Sequence, residues 1–264
     1  MKYSYQDLAQ MIDHSLLHPT MTDQELEAGC QLAAKYQVAS VCIKPYAVRR
    51  AAELLKGTGV KVGAVIGFPH GNSTTESKRY ETEIACRDGA VEIDMVINVG
   101  KALSGDWEYV ERDIKVVCDE AHWRGAKVKV IFENDYLTKG GAGLSSDEFK
   151  RKLCEISERA GANWVKTSSG YGFIKQADGS YNYQGATEHD LALMRASVSR
   201  EVEVKAAGGV RDLDGLIKVR DLGASRCGAT ATAAMLDEYR RREQAEKSGA
   251  ASPASSGTLG SGGY

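Results

Sequence analysis

The sequence has 264 residues, of which 42% are hydrophobic and 27% are charged, and its formal net charge is −2. These values are ordinary for a globular protein, and the balanced charge gives no general attraction to nucleic acid or anionic lipid. No apolar run approaches the roughly 20 residues that a membrane-spanning helix needs. The N-terminus lacks the apolar core of a signal peptide, so we expect a cytoplasmic protein that binds neither membrane nor nucleic acid.

Short β-rich runs alternate along the chain with amphipathic stretches. Several of these runs are almost continuously apolar, which is typical of parallel strands covered by helices. In chain order, strands are predicted at 12–17, 39–44, 61–67, 91–98, 127–133, 164–168, 202–206 and 225–228.

Local signals mark the helices between these strands. Three capping boxes, each a Ser or Thr followed three residues later by Glu, predict helix starts at Thr22, Ser73 and Ser145. Apolar residues recur at helical spacing within 107–121 and within 188–199. A Gly-Ala pair precedes four of the predicted strands, at positions 89, 125, 161 and 223, and glycine suits the left-handed turn that ends a helix.

The repeat length predicts the fold. The first three Gly-Ala pairs are 36 residues apart, and the last gap, of 62 residues, contains two units. Eight such units in one domain describe a (β/α)₈ (TIM) barrel. The alternative, an open doubly wound sheet, normally has fewer strands and a Gly-x-Gly-x-x-Gly turn, which this sequence lacks. We assign the barrel to residues 1–239 and a short flexible tail, first charged and then rich in Ser and Gly, to 240–264.

Three charged residues, Asp94, Lys166 and Lys205, stand within predicted apolar strands, and Asp13 is a weaker fourth. A charge in such a strand is costly unless it is paired or functional. A lysine attacks a carbonyl only as the neutral amine, a nearby ammonium lowers its pKa, and a nearby carboxylate can carry protons. The pattern favours a nucleophilic Lys166 assisted by Lys205 and Asp94. A buried network that only stabilises the barrel is the alternative.

Glycines that follow the late strands provide a second signal. Backbone N–H groups at such turns can bind a phosphate, and the last strands of TIM barrels often do so. Ordinary tight turns explain any one of these glycines equally well, but their number and the neighbouring hydroxyls favour phosphate. The glycines are Gly170, Gly208, Gly209 and Gly228, and the hydroxyls are those of Thr167, Ser168 and Thr230.

Six stretches, in order along the chain, resemble the deoxyribose-phosphate aldolases. They are IDHSLL from residue 12, VCIKP from 41, VIGFPHG from 65, EIDMVIN from 92, VKTSSG from 165 and VKAAGGVR from 204. The resemblance covers about residues 8 to 235. It implies a class I aldolase that needs no metal or organic cofactor. Such an enzyme reversibly cleaves 2-deoxy-D-ribose 5-phosphate to D-glyceraldehyde 3-phosphate and acetaldehyde through a lysine Schiff base.

The resemblance also implies roles for individual residues. Lys166 matches the Schiff-base lysine, Lys205 the lysine that perturbs it, and Asp94 the aspartate of the proton relay. Asp13 matches an aspartate near the substrate hydroxyl. Tyr264, the last residue, matches a terminal tyrosine that assists proton transfer at the enamine carbon, although an incidental aromatic end is the alternative.

The sequence departs from the family pattern mainly on the phosphate side. Ser169 stands where Thr is common, and Ala207 and Ala231 stand where Ser is frequent. Tyr171 occupies a position where some members place a lysine that helps to hold the phosphate. The loop at 175–184 is longer than usual. These differences leave the lysines unchanged and bear on phosphate affinity and substrate breadth.

Other functions remain to be compared with this one. A different lysine-dependent aldolase or transaldolase and a non-catalytic sugar-phosphate sensor are the alternatives, whereas His14 and His18 are poorly spaced for a metal-dependent aldolase. None of the six cysteines forms a Cys-x-x-Cys motif, so most are expected to be buried thiols. Cys42 either faces the site or packs in the core. A homodimer is the default assembly.

Overall fold

The computed structural model of the protein describes residues 1–248 and Leu259. Eight parallel strands form a closed barrel. They are β1 (Ile12–Leu16), β2 (Ser40–Ile43), β3 (Lys61–Ile66), β4 (Glu92–Val96), β5 (Lys127–Ile131), β6 (Trp164–Lys166), β9 (Glu203–Ala207) and β10 (Ala224–Ala229). Around the barrel the order is β1-β10-β9-β6-β5-β4-β3-β2. Each predicted strand overlaps an observed one, and the ends differ by at most two residues. The predicted single-domain (β/α)₈ barrel is therefore confirmed.

Helices cover the outside of the barrel and shield the apolar outer faces of the strands. Short 3₁₀ turns at Pro45–Ala47 and Asn134–Leu137 follow β2 and β5. In the described part of the chain the α-helices are α1 (Tyr5–Ala9), α2 (Asp23–Tyr36), α3 (Val48–Leu54), α4 (Thr75–Arg87), α5 (Val99–Leu103), α6 (Trp107–Trp123), α7 (Ser146–Arg159), α8 (Glu188–Ser197), α9 (Leu213–Asp221) and α10 (Thr232–Ser248).

Side-chain caps determine where several helices begin. The capping boxes predicted at Thr22 and Ser145 are confirmed, since each hydroxyl accepts from the third helical N–H and the Glu at that position bonds back. The box predicted at Ser73 is wrong. Thr74 caps α4 instead, accepting from the Ser77 N–H at 3.2 Å, because either of two adjacent hydroxyl residues can serve as the cap.

The core lies between the strands and the helices that cover them. On α6, Val110, Ile114, Val117 and Ala121 are completely buried, as the helical periodicity predicts. Burying one such branched side chain contributes about 1.5–3 kcal/mol. This layer of packing holds the strands in register, and the register positions the charged groups inside the barrel.

A small antiparallel hairpin interrupts the βα rhythm after β6. Its strands, β7 (Ile174–Lys175) and β8 (Tyr181–Asn182), lie within the loop identified as unusually long, but the hairpin itself was not predicted. Because the Gly179 backbone has a φ of +85°, the glycine there suits the tight connection between the two strands.

The C-terminal boundary differs from the prediction. Helix α10 continues to Ser248, so the assignment of a flexible tail from residue 240 is wrong for 240–248. Arg242 joins that segment to the barrel domain through a 2.6 Å ion pair with Asp214 on α9. Leu259 packs against the core beside Gly215. Nowhere in the described residues is there a helix that is both long and apolar enough to cross a membrane.

Candidate active site

The barrel register brings the four predicted charges together. Lys166 and Lys205 are register partners on β6 and β9, and both side chains are buried. The Lys166 Nζ lies 2.7 Å from Asp94 Oδ2, and the Lys205 Nζ lies 2.6 Å from the same oxygen. Lys205 also lies 2.6 Å from Asp13. Asp94 is therefore shared by the amino groups of two lysines at the C-terminal half of the barrel.

Lys129 on β5 is a buried third lysine that sequence reasoning missed. Its Nζ lies 3.0 Å from Asp13, 2.5 Å from Glu92 and 3.1 Å from Asp94. Below it, Arg226 on β10 pairs with Glu92 at 2.5 Å. The signal was the same as for Lys166, a charge inside an apolar strand, because Lys129 stands between two valines.

The charges inside the barrel do not cancel. Four cations meet three carboxylates, and because isolated charges are expensive in a buried site, the arrangement favours one neutral amine. A further cation, Lys61, approaches Glu92 to 3.7 Å, but its side chain is half exposed and therefore hydrated. The four cations are Lys129, Lys166, Lys205 and Arg226, and the three carboxylates are Asp13, Glu92 and Asp94.

Lys166 is the member of this set that is best placed to be neutral. Burial lowers its pKa, and the charge of Lys205 lowers it further, while Asp94 opposes both effects. For Lys205, by contrast, Asp13 and Asp94 overcome burial and raise the pKa well above its ordinary value. Lys205 thus lowers the pKa of Lys166, as expected, but burial lowers that pKa more.

The two aspartates remain ionised. Burial alone would raise the pKa of Asp94, but Lys129, Lys166 and Lys205 outweigh it and hold the pKa well below its usual value. The pKa of Asp13 is likewise lowered by its cationic neighbours despite complete burial. Its Oδ1 accepts a hydrogen bond from the Ser40 hydroxyl at 2.8 Å and its Oδ2 contacts both Lys129 and Lys205, so Asp13 lies within the network.

A small apolar cluster includes Cys42, a neighbour of Lys166. Leu17, Cys42 and Val65 form a buried cluster, and the rings of Phe68 and Tyr171 pack on it with their centroids 5.5 Å apart. The Cys42 thiol is near enough to influence the pKa of the lysine, and burial raises the pKa of the thiol itself. Cys42 thus combines the two roles considered for it, because it is buried and lies beside the site.

Glu133 holds the loop that follows β6. The Ser169 N–H donates to its carboxylate at 3.0 Å, the Ser169 hydroxyl donates to it as well, and the Tyr171 N–H donates to Ser169 Oγ at 2.9 Å. Gly172 lies so close that a Cβ there would be 2.5 Å from the carboxyl carbon. Burial raises the pKa of Glu133 to about 7. No sequence signal distinguished this residue.

The glycines predicted to bind phosphate fall in two places. Gly208, Gly209, Gly228 and Thr230 line a small pocket of about 50 Å³, at the same end of the barrel as Lys166. That volume is well below the roughly 300–1,000 Å³ of whole small-molecule sites, so the pocket can hold only a small group. Val210, Ala229 and the side chains of Tyr183 and Arg211, which were not predicted, complete the lining.

The remaining predicted residues lie outside this lining. Gly170, with a φ of +87°, belongs to the loop that Glu133 holds. The Thr167 hydroxyl donates to the Ala207 carbonyl and accepts from the Ala207 N–H, both at 3.1 Å, so it joins β6 to β9. Within the described residues, the Ser168 Oγ is buried without a hydrogen-bond partner.

Comparison with known proteins identifies the family. Residues 8–241 match the DeoC/LacD family aldolases. The chain belongs to this family. A Rhodopirellula baltica relative named deoxyribose-phosphate aldolase is 51% identical over 240 residues, which cover 91% of this chain and 92% of the relative. A Clostridium perfringens relative of the same name is 45% identical over 232 residues, covering 88% and 95%.

Solved structures of the aldolase family share the architecture. A Coccidioides immitis crystal structure superposes with a TM-score of 0.79 at 34% identity, covering 90% of this chain and 87% of that one. The deoxyribose phosphate aldolase from Aeropyrum pernix gives a TM-score of 0.77 at 28% identity, covering 90% and 92%. The Aeropyrum pernix protein is described as a tetramer.

Two further predictions for this DeoC/LacD aldolase concern metal binding and the role of Tyr264. Across the described residues, no group of three His, Cys, Asp or Glu side chains is arranged to hold a metal ion. His14 Nδ1 lies 2.9 Å from the Thr232 hydroxyl, and burial lowers its pKa to about 4. Tyr264 lies outside the described residues, so its role stays a prediction.

Proposed function

We propose that Lys166 is the nucleophile with which this aldolase reversibly cleaves 2-deoxy-D-ribose 5-phosphate to D-glyceraldehyde 3-phosphate and acetaldehyde. The observation that carries the proposal is the charge imbalance inside the barrel. Of the four buried cations there, Lys166 is the one whose pKa is lowered, whereas the pKa values of the other three are raised. A neutral amine is the form that attacks a carbonyl carbon.

The reaction follows from this arrangement. The neutral Lys166 Nζ adds to C1 of the open-chain sugar, and the carbinolamine then takes up one proton and loses water to give the protonated Schiff base. Removal of the proton from the C3 hydroxyl breaks the C2–C3 bond, and the electron pair moves into the iminium to form an enamine. Glyceraldehyde 3-phosphate departs, C2 of the enamine is protonated, and hydrolysis releases acetaldehyde and the free amine.

Asp94 and Lys205 support the proton transfers. Asp94 is 2.7 Å from the Lys166 Nζ, so it can accept a proton during carbinolamine formation and return it when water leaves. Lys205 stays charged and keeps Asp94 in place. Asp13, which we expected near the substrate hydroxyl, contacts Lys205 at 2.6 Å, so we assign it the orientation of that lysine.

The phosphate of the substrate is assigned to the pocket at the ends of β9 and β10. Gly208 and Gly209, which follow β9, and Gly228, near the end of β10, have no side chains in the way of an anion, and Thr230 adds a hydroxyl. Gly170 and Thr167 contribute indirectly, by shaping the loop after β6 and its contact with β9.

Tyr264 is proposed to protonate C2 of the enamine. Leu259, five residues earlier, lies 3.8 Å from the position of a Cβ on Gly215, near the start of α9. In sequence, α9 begins two residues after the last of the pocket residues that follow β9. Five extended residues span up to roughly 17 Å. Deleting Tyr264 should slow exchange of the C2 protons of acetaldehyde but leave Schiff-base trapping intact. Unchanged exchange would place the tyrosine outside the mechanism.

The assembly and location of the protein are also proposals. We infer that the protein is a homodimer, since two-fold pairs are the commonest protein assemblies. We also infer that it is located in the cytoplasm. Light scattering during size-exclusion chromatography measures the mass in solution. A tetrameric mass would agree with the description of the Aeropyrum pernix protein and replace the dimer.

Borohydride trapping tests the central proposal. The protein is incubated with acetaldehyde, reduced with borohydride and digested, and the peptide that contains Lys166 is expected to carry an N-ethyl group. Lys166→Met is the control that should remain unmodified. Modification of another lysine, or none, would contradict the assignment. An assay of 2-deoxyribose 5-phosphate cleavage, in which the released acetaldehyde is measured, tests the substrate separately.

A further inference from the structure

Tyr183 is a buried aromatic residue at the base of the hairpin formed by β7 and β8. It is only 6% exposed, whereas Tyr181 on the same hairpin is 64% exposed. The ring of Phe173 packs edge-on against Tyr183 with 5.4 Å between centroids. The hairpin therefore directs one tyrosine inward and leaves the other in solvent.

Two contacts distant in sequence fix the chain that follows Tyr183. The Asp135 carboxylate accepts hydrogen bonds from the Gln184 N–H at 2.6 Å and from the Gly185 N–H at 3.1 Å. The Ala186 N–H donates to the Gly208 carbonyl at 3.1 Å. Gly185 packs so closely that a Cβ would lie 2.7 Å from the Gly208 carbonyl carbon. Tyr183 is thereby held beside the rim of the pocket.

The tyrosine contributes directly to the wall of the pocket. It lines the cavity together with Gly208, Gly228 and Thr230, and its ring lies 3.1 Å from where a Cβ on Gly208 would be. Burial raises the pKa of the phenol, although the nearby Arg211 opposes this. At neutral pH the phenol thus keeps its proton, and a neutral hydroxyl can donate a hydrogen bond to an anion.

Few other side chains that line the pocket can donate a hydrogen bond. Tyr171, at a position where related sequences can place a lysine, packs in the apolar cluster with Phe68. Ala231 follows Thr230 and adds no hydroxyl. Of the side chains that line the pocket, those of Tyr183, Arg211 and Thr230 carry polar hydrogens.

We propose that Tyr183 is a specificity-determining residue whose hydroxyl donates a hydrogen bond to the substrate phosphate while its ring closes one wall of the pocket. The proposal rests on the proposed function, because it assumes that the substrate carries a phosphate. The hairpin then serves to place a donor, and the preference for phosphorylated substrates depends on the long loop that follows the strand of the catalytic lysine.

Tyr183→Phe tests the hydroxyl, and Tyr181→Phe is the matched control from the exposed side of the hairpin. Loss of a hydrogen bond to a charged group should raise KM for 2-deoxyribose 5-phosphate about tenfold. The kcat should change little, and kcat/KM for unphosphorylated 2-deoxyribose should be unchanged. The Tyr181→Phe variant should match the unaltered protein on both substrates.

Calorimetric titration with inorganic phosphate gives a readout that needs no turnover. We expect Tyr183→Phe to weaken phosphate binding about tenfold. Equal losses of kcat/KM with 2-deoxyribose 5-phosphate and with 2-deoxyribose would mean that the tyrosine only supports the structure. An unchanged KM or an unchanged phosphate affinity would overturn the proposal. If the unaltered protein binds phosphate through Tyr183 but does not cleave 2-deoxyribose 5-phosphate, only the proposed function fails.

Discussion

The interior of the barrel around Lys166 and the proposed phosphate pocket around Gly208 lie at the same end of the fold but are built differently. In the interior, side chains project from paired strands, so strand register fixes their distances to within hydrogen-bond range. In the pocket, backbone turns and a hairpin provide the walls, and their positions depend on loop contacts. In the function proposed here, bond cleavage depends on groups that strand register positions, and substrate preference depends on groups that loops position.

Removing Lys166, the proposed nucleophile, should have the largest effect and act on the interior alone. Lys166→Met is expected to lower kcat at least about 10³-fold, as for other covalent catalysts that lose their nucleophile, while phosphate affinity stays near its original value. Steady-state kinetics and calorimetry measure the two quantities. A variant that kept a tenth of the original kcat would exclude a Schiff base at this position.

Lys78 provides a matched control, because it is a buried lysine outside the barrel mouth. Its Nζ pairs with Asp113 at 2.5 Å and donates to the Val96 carbonyl at 2.9 Å, and burial lowers its pKa as well. Lys78→Met should cost roughly 3–5 kcal/mol of stability by leaving Asp113 unpaired. Its folded fraction should retain turnover, so a lowered pKa alone does not identify a catalytic lysine.

Changing the charge count inside the barrel should have the next largest effect. Lys205→Met leaves three cations against three carboxylates, so the Lys166 ammonium becomes the required third positive charge and its pKa should rise. We expect activity at pH 7 to fall about 10²-fold and to recover partly toward higher pH. The pH dependence of borohydride trapping measures the shift. Full activity at neutral pH would exclude this role for Lys205.

Asp94→Asn changes the same balance in the opposite direction. It removes the carboxylate that favours the Lys166 ammonium, so trapping with acetaldehyde should persist to lower pH. Cleavage should nevertheless slow about 10²-fold, because the proton carrier is lost. If both variants moved the trapping profile in the same direction, the charge-count explanation would be wrong.

The contrast between interior and pocket also explains what the sequence could predict. Strand periodicity located Lys166, Lys205 and Asp94, because a charge in an apolar run is visible locally. Lys129 carries the same signal and was overlooked.

Tyr183 carries no such signal. Its burial depends on Asp135 and Gly208, which lie 48 residues before it and 25 residues after it. Only the folded chain brings these residues together. Glu133 was invisible for the same reason, since its raised pKa results from burial in the folded chain, which the hydrogen bonds from Ser169 only partly offset.

Glu133 interacts electrostatically with Lys166 in the interior and with Tyr183 at the pocket, and its replacement should alter how stability depends on pH. Its pKa is about 7 in the fold, above the ordinary value of 4.5, so the folded state retains a proton that the unfolded state loses. This contribution is present below about pH 4.5 and is lost as pH rises to about 7, at a cost of about 3 kcal/mol. Glu133→Gln should flatten the decline in the free energy of unfolding between pH 5 and pH 8, measured in urea. An identical decline in the variant would show that Glu133 ionises normally.

Removing one hydroxyl from the pocket should have the smallest effect and leave the interior unchanged. Thr230→Val keeps the shape of the side chain, and we expect KM for 2-deoxyribose 5-phosphate to rise about fivefold through loss of one hydrogen bond. Acetaldehyde trapping at Lys166 should proceed at its original rate, because the small aldehyde has no phosphate to bind. Thr232→Val, which removes the hydroxyl that contacts His14 outside the pocket, is the control and should leave KM unchanged. A Thr230→Val variant that trapped acetaldehyde more slowly would mean that the pocket and the interior are not separable.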